Sequence, residues 1–222
     1  RCIFAANACG HHGGGVDNSR SDAVLKNCVF AGNWAGRYGG AVTNGRCQPT
    51  ILNCTIVQNR AVEAGGGVHS GWGVHALVKN SILRGNSAPE GAQIAARGSS
   101  TETDTIMVEY CAVMGGAEGV SVGPDDSLDW GAGNIDSDPC FADPGYWDPN
   151  GTPDDANDDF WVMGDYHLLS GSLCINGGDP SLVAGPDDID MDGEARVMWE
   201  RVDMGADEFN PIRFFDPNRT PI

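Results

Sequence analysis

Three aspartates alternate in the stretch DDIDMDG, residues 187–193: Asp188, Asp190 and Asp192, followed by Gly193. Alternating carboxylates before a glycine form the opening half of a loop that wraps hard oxygen ligands around Ca2+. The twelfth position of such a loop is Trp199 here, and Glu200 comes one residue late, so the full pattern is absent. A second acidic stretch, DPNGTPDDANDD at 148–159, offers Asp148, Asn150, Asp154, Asp155 and Asp158. Carboxylates this close repel one another unless a cation or solvent relieves them. Calcium is therefore the expected cofactor of one or both loops, with a solvated acidic loop as the plainer alternative.

Asp17, Arg37, Glu63 and His69 are the candidates for acid–base work on a polysaccharide. They lie near equivalent positions of a sequence repeat. No repeated position supplies the two facing carboxylates of a glycoside hydrolase, and solvent-facing side chains with ion pairs between successive repeats explain the same residues without catalysis. Trp34, Tyr38 and Trp72 offer rings on which sugars could stack, and Trp147 and Trp161 fall beside the second acidic stretch. Packing under long loops is the competing explanation for these aromatics.

The elements that must position these residues are legible as a repeat. RCIFAAN at 1–7, NCVFAGN at 27–33, NCTIVQN at 53–59 and NSILRGN at 80–86 are versions of one phrase. Its second residue recurs as Cys2, Cys28, Cys54, Ser81 and Cys111, in steps of 26, 26, 27 and 30 residues. A second phrase runs in phase: GGGV at 13–16, GGAV at 39–42, GGGV at 65–68 and GAQI at 91–94. A fixed period marks repeat architecture. The apolar segments are short, rich in β-branched residues and bounded by Gly and Asn, so they read as strands. No amphipathic run is long enough for a helical solenoid.

Short strands on a 26-residue period predict an all-β fold, a right-handed parallel β-helix whose coils stack at about 4.8 Å. Equivalent residues then form ladders along the axis. Cys2, Cys28, Cys54 and Cys111 are expected as a buried thiol row, since parallel side chains have poor geometry for disulfides. Asn7, Asn33, Asn59 and Asn86 are expected as an amide ladder. Asn27, Asn53 and Asn80 suggest a second such row, and Asn18 with Asn44 a third. The paired glycines predict a corner with positive φ. Cys140 and Cys174, outside the repeat, are the disulfide candidates.

Charge divides the chain. Up to residue 116 there are 9 Lys+Arg and 7 Asp+Glu; from 117 onward there are 4 and 24. A net charge of −18 disfavours nucleic acid, which needs Lys and Arg to neutralise it. No apolar run approaches the 18 or so residues of a membrane span. Regular coils are expected over 1–123, irregular acidic coils of the same domain over 124–209, and a tail or cap over 210–222. Because the chain opens inside a repeat, a longer precursor is expected.

The phrases NIDSDPCFADP, DYHLLSGSLCINGGDP, DIDMDGEARV and RVDMGADEF, in that order after the GGA…NC repeats, carry a resemblance. The chain resembles bacterial right-handed β-helix proteins of the choice-of-anchor Q type, which share repeats in the style of polymorphic outer-membrane proteins. The resemblance covers nearly the whole chain. It implies a secreted or cell-surface protein of the broad pectate-lyase-like class and defines no reaction. The expected function is a non-catalytic extracellular module for adhesion, surface assembly or glycan contact. A polysaccharide lyase or hydrolase, and a self-assembling filament or surface-layer subunit, are the alternatives. Expected partners are further copies or flanking domains and cell-surface glycan.

Overall fold

A computed structural model of the chain describes residues 1–98, 102–156 and 158–211. The tail expected over 210–222 lies almost wholly outside them. Five coils of parallel β-helix stack with strict register. Ile3–Ala5, Val29–Ala31, Thr55–Val57, Ile82–Arg84 and Ala112–Val113 form the first sheet. Ala8–Cys9, Trp34–Ala35 and Arg60–Ala61 form a short second sheet. Val16–Ser19, Val42–Gly45, Val68–Gly71, Ile94–Ala96 and Val120–Val122 form the third. Val24–Lys26, Thr50–Leu52, His75–Lys79, Thr105–Glu109 and Ser127–Trp130 form the fourth.

Inside, like stacks on like. Phe4 and Phe30 lie 4.7 Å apart at 3°, and Ile56, Leu83 and Val113 continue their row. Corners use left-handed backbone, as at Gly39 (φ 65°) and Asn53 (φ 50°). The paired glycines have two different reasons. Gly39 supplies the positive φ. Gly40 has no room for a side chain, because a Cβ there would lie 2.2 Å from Gly66 O in the next coil.

The amide ladder is continuous. Asn7 Nδ2 donates to Asn33 Oδ1 at 2.9 Å, Asn33 to Asn59 at 2.8 Å and Asn59 to Asn86 at 2.9 Å. Asn18 donates to Asn44 at 3.1 Å. The row expected from Asn27, Asn53 and Asn80 does not form. These residues hold the left-handed corner, with φ of 54°, 50° and 48°, which turns their amides away from one another. Asn27 Nδ2 donates instead to Ile189 O, and Asn80 Oδ1 accepts from Asp179 N.

The thiol row is more polar than a row of small hydrophobes. Cys28, Cys54 and Cys111 each donate Sγ–H to the carbonyl two residues back, at 3.2–3.3 Å, and Ser81 Oγ does the same at 2.8 Å. Cys54 N donates to Ser81 Oγ, Ser81 N to Cys111 Sγ, and Cys111 N to Asn134 Oδ1. Serine replaces cysteine in this row because both close the same turn. Cys140 and Cys174 are free thiols in this structure, as are the other six cysteines.

After Ile135, which bridges to Ala112, the chain adds no further parallel strand among the described residues. The irregular acidic region takes a form absent from the sequence reading. Phe141–Asp143 pairs antiparallel with Asp165–Leu168, and Tyr146–Asp148 with Phe160–Val162. These strands and residues up to 209 pack as a flap against the outer face of the first sheet. Trp161, Tyr166 and Ala206 bury Val29, Ala31 and Val57; Leu168, Cys174 and Met204 bury Ile82 and Ala112. That explains the unbroken apolar run in the repeated phrase: both faces of this sheet are covered, as in buried parallel sheets. Four of the flap's aspartates also pair with cations of the coils. Lys26 pairs with Asp188, Arg60 with Asp159, Lys79 with Asp179 and Arg84 with Asp138.

Candidate functional site

A cleft of about 680 Å3 opens where the flap meets the second sheet. Each second-sheet strand has two residues, so one points in and one out. Ala35 is buried, and Trp34, 36 % exposed, projects outward in register with Ala8 and Arg60. The opposite wall is the hairpin Tyr146–Asp148/Phe160–Val162, where Trp147 and Trp161 face each other with ring centroids 5.7 Å apart. Trp161 is seated on Gly32, where a Cβ would stand 2.1 Å from the indole. Trp147 Nε1 donates to Gln58 O at 2.8 Å. Phe160 leaves 49 % of its surface open.

Polar groups converge on the same cleft. Arg60 lies 4.3 Å above the Trp147 ring and pairs with Asp159 at 2.8 Å. Asn7 and Ser87 complete the lining. An apolar, aromatic floor with a few fixed polar groups, at this volume, has the form of a small-ligand site. Trp34 was legible as an aromatic candidate, and Trp147 and Trp161 as a cluster. Phe160 and Arg60 were not, and Asp159 was legible only as a carboxylate of the second acidic stretch, because their convergence depends on the flap folding back over more than 80 residues of chain.

Tyr38 and Trp72 lie elsewhere, on the third-sheet flank. His69 stacks on Tyr38 at 4.5 Å and 12°, with Trp72 edge-on at 6.1 Å. Asp17, Thr43 and His69 are in register, so Asp17 stands two coils from His69, about 10 Å by strand spacing. Asp17 lines a shallow pocket of about 200 Å3 with His12, Thr43, Arg46 and Trp72. Arg37 Nε donates to Glu63 Oε1 at 2.7 Å as a corner ion pair. No shared reacting centre joins Asp17, Arg37, Glu63 and His69.

His69 is 1 % exposed with neither ring nitrogen hydrogen-bonded. Burial, with His12 and Arg97 adding repulsion, pushes its pKa down to about 3. The folded state thus disfavours the imidazolium, and stability is lost as pH falls below the unfolded value of about 6.5. At pH 5 the loss is about 2 kcal/mol. His69→Phe keeps the stack on Tyr38 and cannot protonate. Urea titrations at pH 7.5 and pH 5 should show the variant losing about 2 kcal/mol less than the parent over that interval. Equal losses would show that His69 does not carry the acid sensitivity.

The alternating aspartates do not face a common centre. Asp188 accepts from Gly185 N and pairs with Lys26. Asp190 is fully buried and accepts main-chain N–H groups of Asp192, Glu194 and Glu208 at 2.8–3.1 Å. Asp192 Oδ2 meets His167 Nε2 at 2.8 Å. Asp190 thus shapes its loop. In the 148–159 stretch, Asp148 Oδ1 accepts from Asn150 N, and Asp158 accepts from Thr152 Oγ1 and Asn150 Nδ2. Asn150, Asp154, Asp155 and Asp158 are exposed.

Beside Asp190 lies a buried charged knot. Arg196, 1 % exposed, donates through Nη2 to Asp203 O at 2.9 Å and to Gly205 O at 2.6 Å. Its Nε stands 3.8 Å from Glu208 Oε2. Burial and the neighbouring Asp203 charge raise Glu208 to about 8, and burial raises Asp203 to about 6 and Asp207 to about 7. For His167, burial opposes the charged form, and the Asp165 and Asp192 hydrogen bonds outweigh it, raising the pKa to about 9.

Fold and site together define a parallel β-helix carrying an aromatic cleft between its flank and a docked flap. No family model matches the chain, and no curated protein or solved structure matches it significantly.

Proposed function

We propose that the protein is a non-catalytic, extracellular or cell-surface β-helix of the bacterial choice-of-anchor Q type, and that its aromatic cleft holds glycan. One observation carries the reading: Trp34 presents an open ring on one wall of the cleft and Phe160 an open ring on the other, beside Trp147 and Trp161, with Arg60 and Asp159 at hand. Stacking faces take the apolar face of a sugar ring, and a charged pair orients its hydroxyls. The acid–base candidates on the third-sheet flank and its corner converge on no substrate position, which favours adhesion or glycan contact over cleavage.

The test is calorimetric titration of neutral and acidic oligosaccharides into the parent, Trp34→Ala and Phe160→Ala, with product analysis in parallel. A ligand bound by the parent should lose about tenfold or more in affinity in each variant, by the scale of a truncated aromatic anchor. Melting temperatures should stay close to the parent's, since both rings are exposed. Affinity unchanged in both variants, or release of sugar products by the parent, would refute the reading.

A further inference from the structure

We infer that His167, Asp192 and Asp207 form a binding site for a divalent transition-metal ion of the zinc class, placed inside the flap. One donor atom from each of the three lies within 4.8 Å of the others. They come from separate segments: the strand Asp165–Leu168, the 187–193 loop and the closing stretch that ends at Phe209.

The imidazole is already oriented. Its Nδ1 meets Asp165 Oδ1, and this holds Nε2 toward Asp192 Oδ2, 2.8 Å away. A carboxylate on the far nitrogen is the usual support behind a metal-bound histidine. Asp165 does this without being one of the three donors. The side chains of His167 and Asp192 are only 12 % and 8 % exposed, and Asp207 is 4 % exposed, with Oδ2 accepting Leu168 N at 3.0 Å. The site is therefore enclosed, unlike the exposed carboxylates at 154–158.

Donor chemistry selects the ion. Calcium prefers six to eight oxygens. An imidazole with two carboxylates suits zinc and its neighbours, at about 2.0–2.2 Å per bond. Four-coordinate donors then sit about 3.4 Å apart. The His167–Asp192 contact would open by about half an ångström and the widest separation would close. Binding the ion releases to solvent the proton that His167 Nε2 shares with Asp192, and a solvent molecule takes the fourth position. The ion would tie the hairpin, the acidic loop and the closing segment together.

The test uses the whole chain, stripped of metal and titrated with Zn2+ against a chromophoric chelator, then with Co2+ by visible absorption. One ion per chain is expected, with ligand-field bands of a four- or five-coordinate nitrogen–oxygen site. Asp207→Asn and His167→Gln should each weaken binding at least 100-fold. Asp165→Asn should weaken it about 10- to 100-fold. Asp188→Asn, which leaves all three donors in place, should bind as the parent does. Failure of the parent to take up Zn2+ or Co2+ stoichiometrically would overturn the inference. So would retention of full affinity by His167→Gln, which would assign the ion to another histidine. Asp207→Asn and Asp165→Asn keep the assignment testable if His167→Gln fails to fold, and glycan affinity in the cleft is independent of it.

Discussion

Asn59→Ala is expected to destabilise the protein by about 3–5 kcal/mol, with a loss of melting temperature on the order of 10 °C. Asn59 is wholly buried at the middle of the amide ladder. Its Oδ1 accepts from both Asn33 N and Asn33 Nδ2 at 2.9 and 2.8 Å. Its Nδ2 donates to Asn86 Oδ1 at 2.9 Å and to the carbonyls of Phe30 and Val57 at 3.0 Å. Truncation leaves donors and acceptors on three coils unpaired where water cannot reach them, and each such group costs about 1–3 kcal/mol. Asn7, at the exposed end of the ladder, offers a control. Its Nδ2 makes one ladder bond in a solvated setting, so Asn7→Ala should cost less than about 1 kcal/mol. Urea denaturation of both variants checks the pair. Equal losses would mean that the ladder's position in the core does not matter.

The second large effect is expected at Arg196. Arg196→Met should cost about 3–5 kcal/mol, because it removes the cation from a buried group that keeps its carboxylates. The guanidinium holds the carbonyls of Asp203 and Gly205 and faces Glu208, which is 1 % exposed. Methionine fills much of the volume but leaves the Asp203 and Gly205 carbonyls without their donor and the buried Asp203 carboxylate without a nearby cation. The loss should concentrate in the flap. Trp161 and Trp147 report on the flap, so their fluorescence change should precede the loss of β-sheet circular dichroism in Arg196→Met. A single coincident transition with parent-like stability would show that the knot is not what holds the flap.

Much of this architecture was written in the spacing. A 26-residue step in Cys28, Cys54 and their neighbours, with Asn33 and Asn59 in phase, can be satisfied only by coils in register, since any other arrangement would leave the amides unmatched. The first glycine of each GG pair was equally legible, because only positive φ recurs at Gly13, Gly39 and Gly65. The misread Asn27–Asn53–Asn80 row shows the limit of periodicity. Periodicity places these residues in one row, but backbone φ decides whether their amides meet, and at a left-handed corner they turn away.

Function-bearing residues divide along the same line. Trp34, Tyr38, Trp72 and the aspartates were visible as residue types. Trp34 joins the cleft while Tyr38 stacks on His69 with Trp72 edge-on, and Asp188, Asp190 and Asp192 serve three separate contacts. Turns at 186–187 and 191–192 break the extended backbone on which alternate side chains would share one side, so sequence alternation alone did not bring three carboxylates to one centre.

The sequence by itself determined the coil, its ladders and the division into a weakly basic half and an acidic one, because each is a property of local spacing or composition. Only the tertiary structure decided where the acidic half goes. It returns onto the first sheet, matches Lys26, Arg60, Lys79 and Arg84 with aspartates, and places Phe160 beside Trp34 and Asp207 beside His167. Those meetings join residues 40 to 162 positions apart with no repeat to mark them. They arise because an apolar outer sheet face must be covered, and a chain that covers it carries its own side chains there.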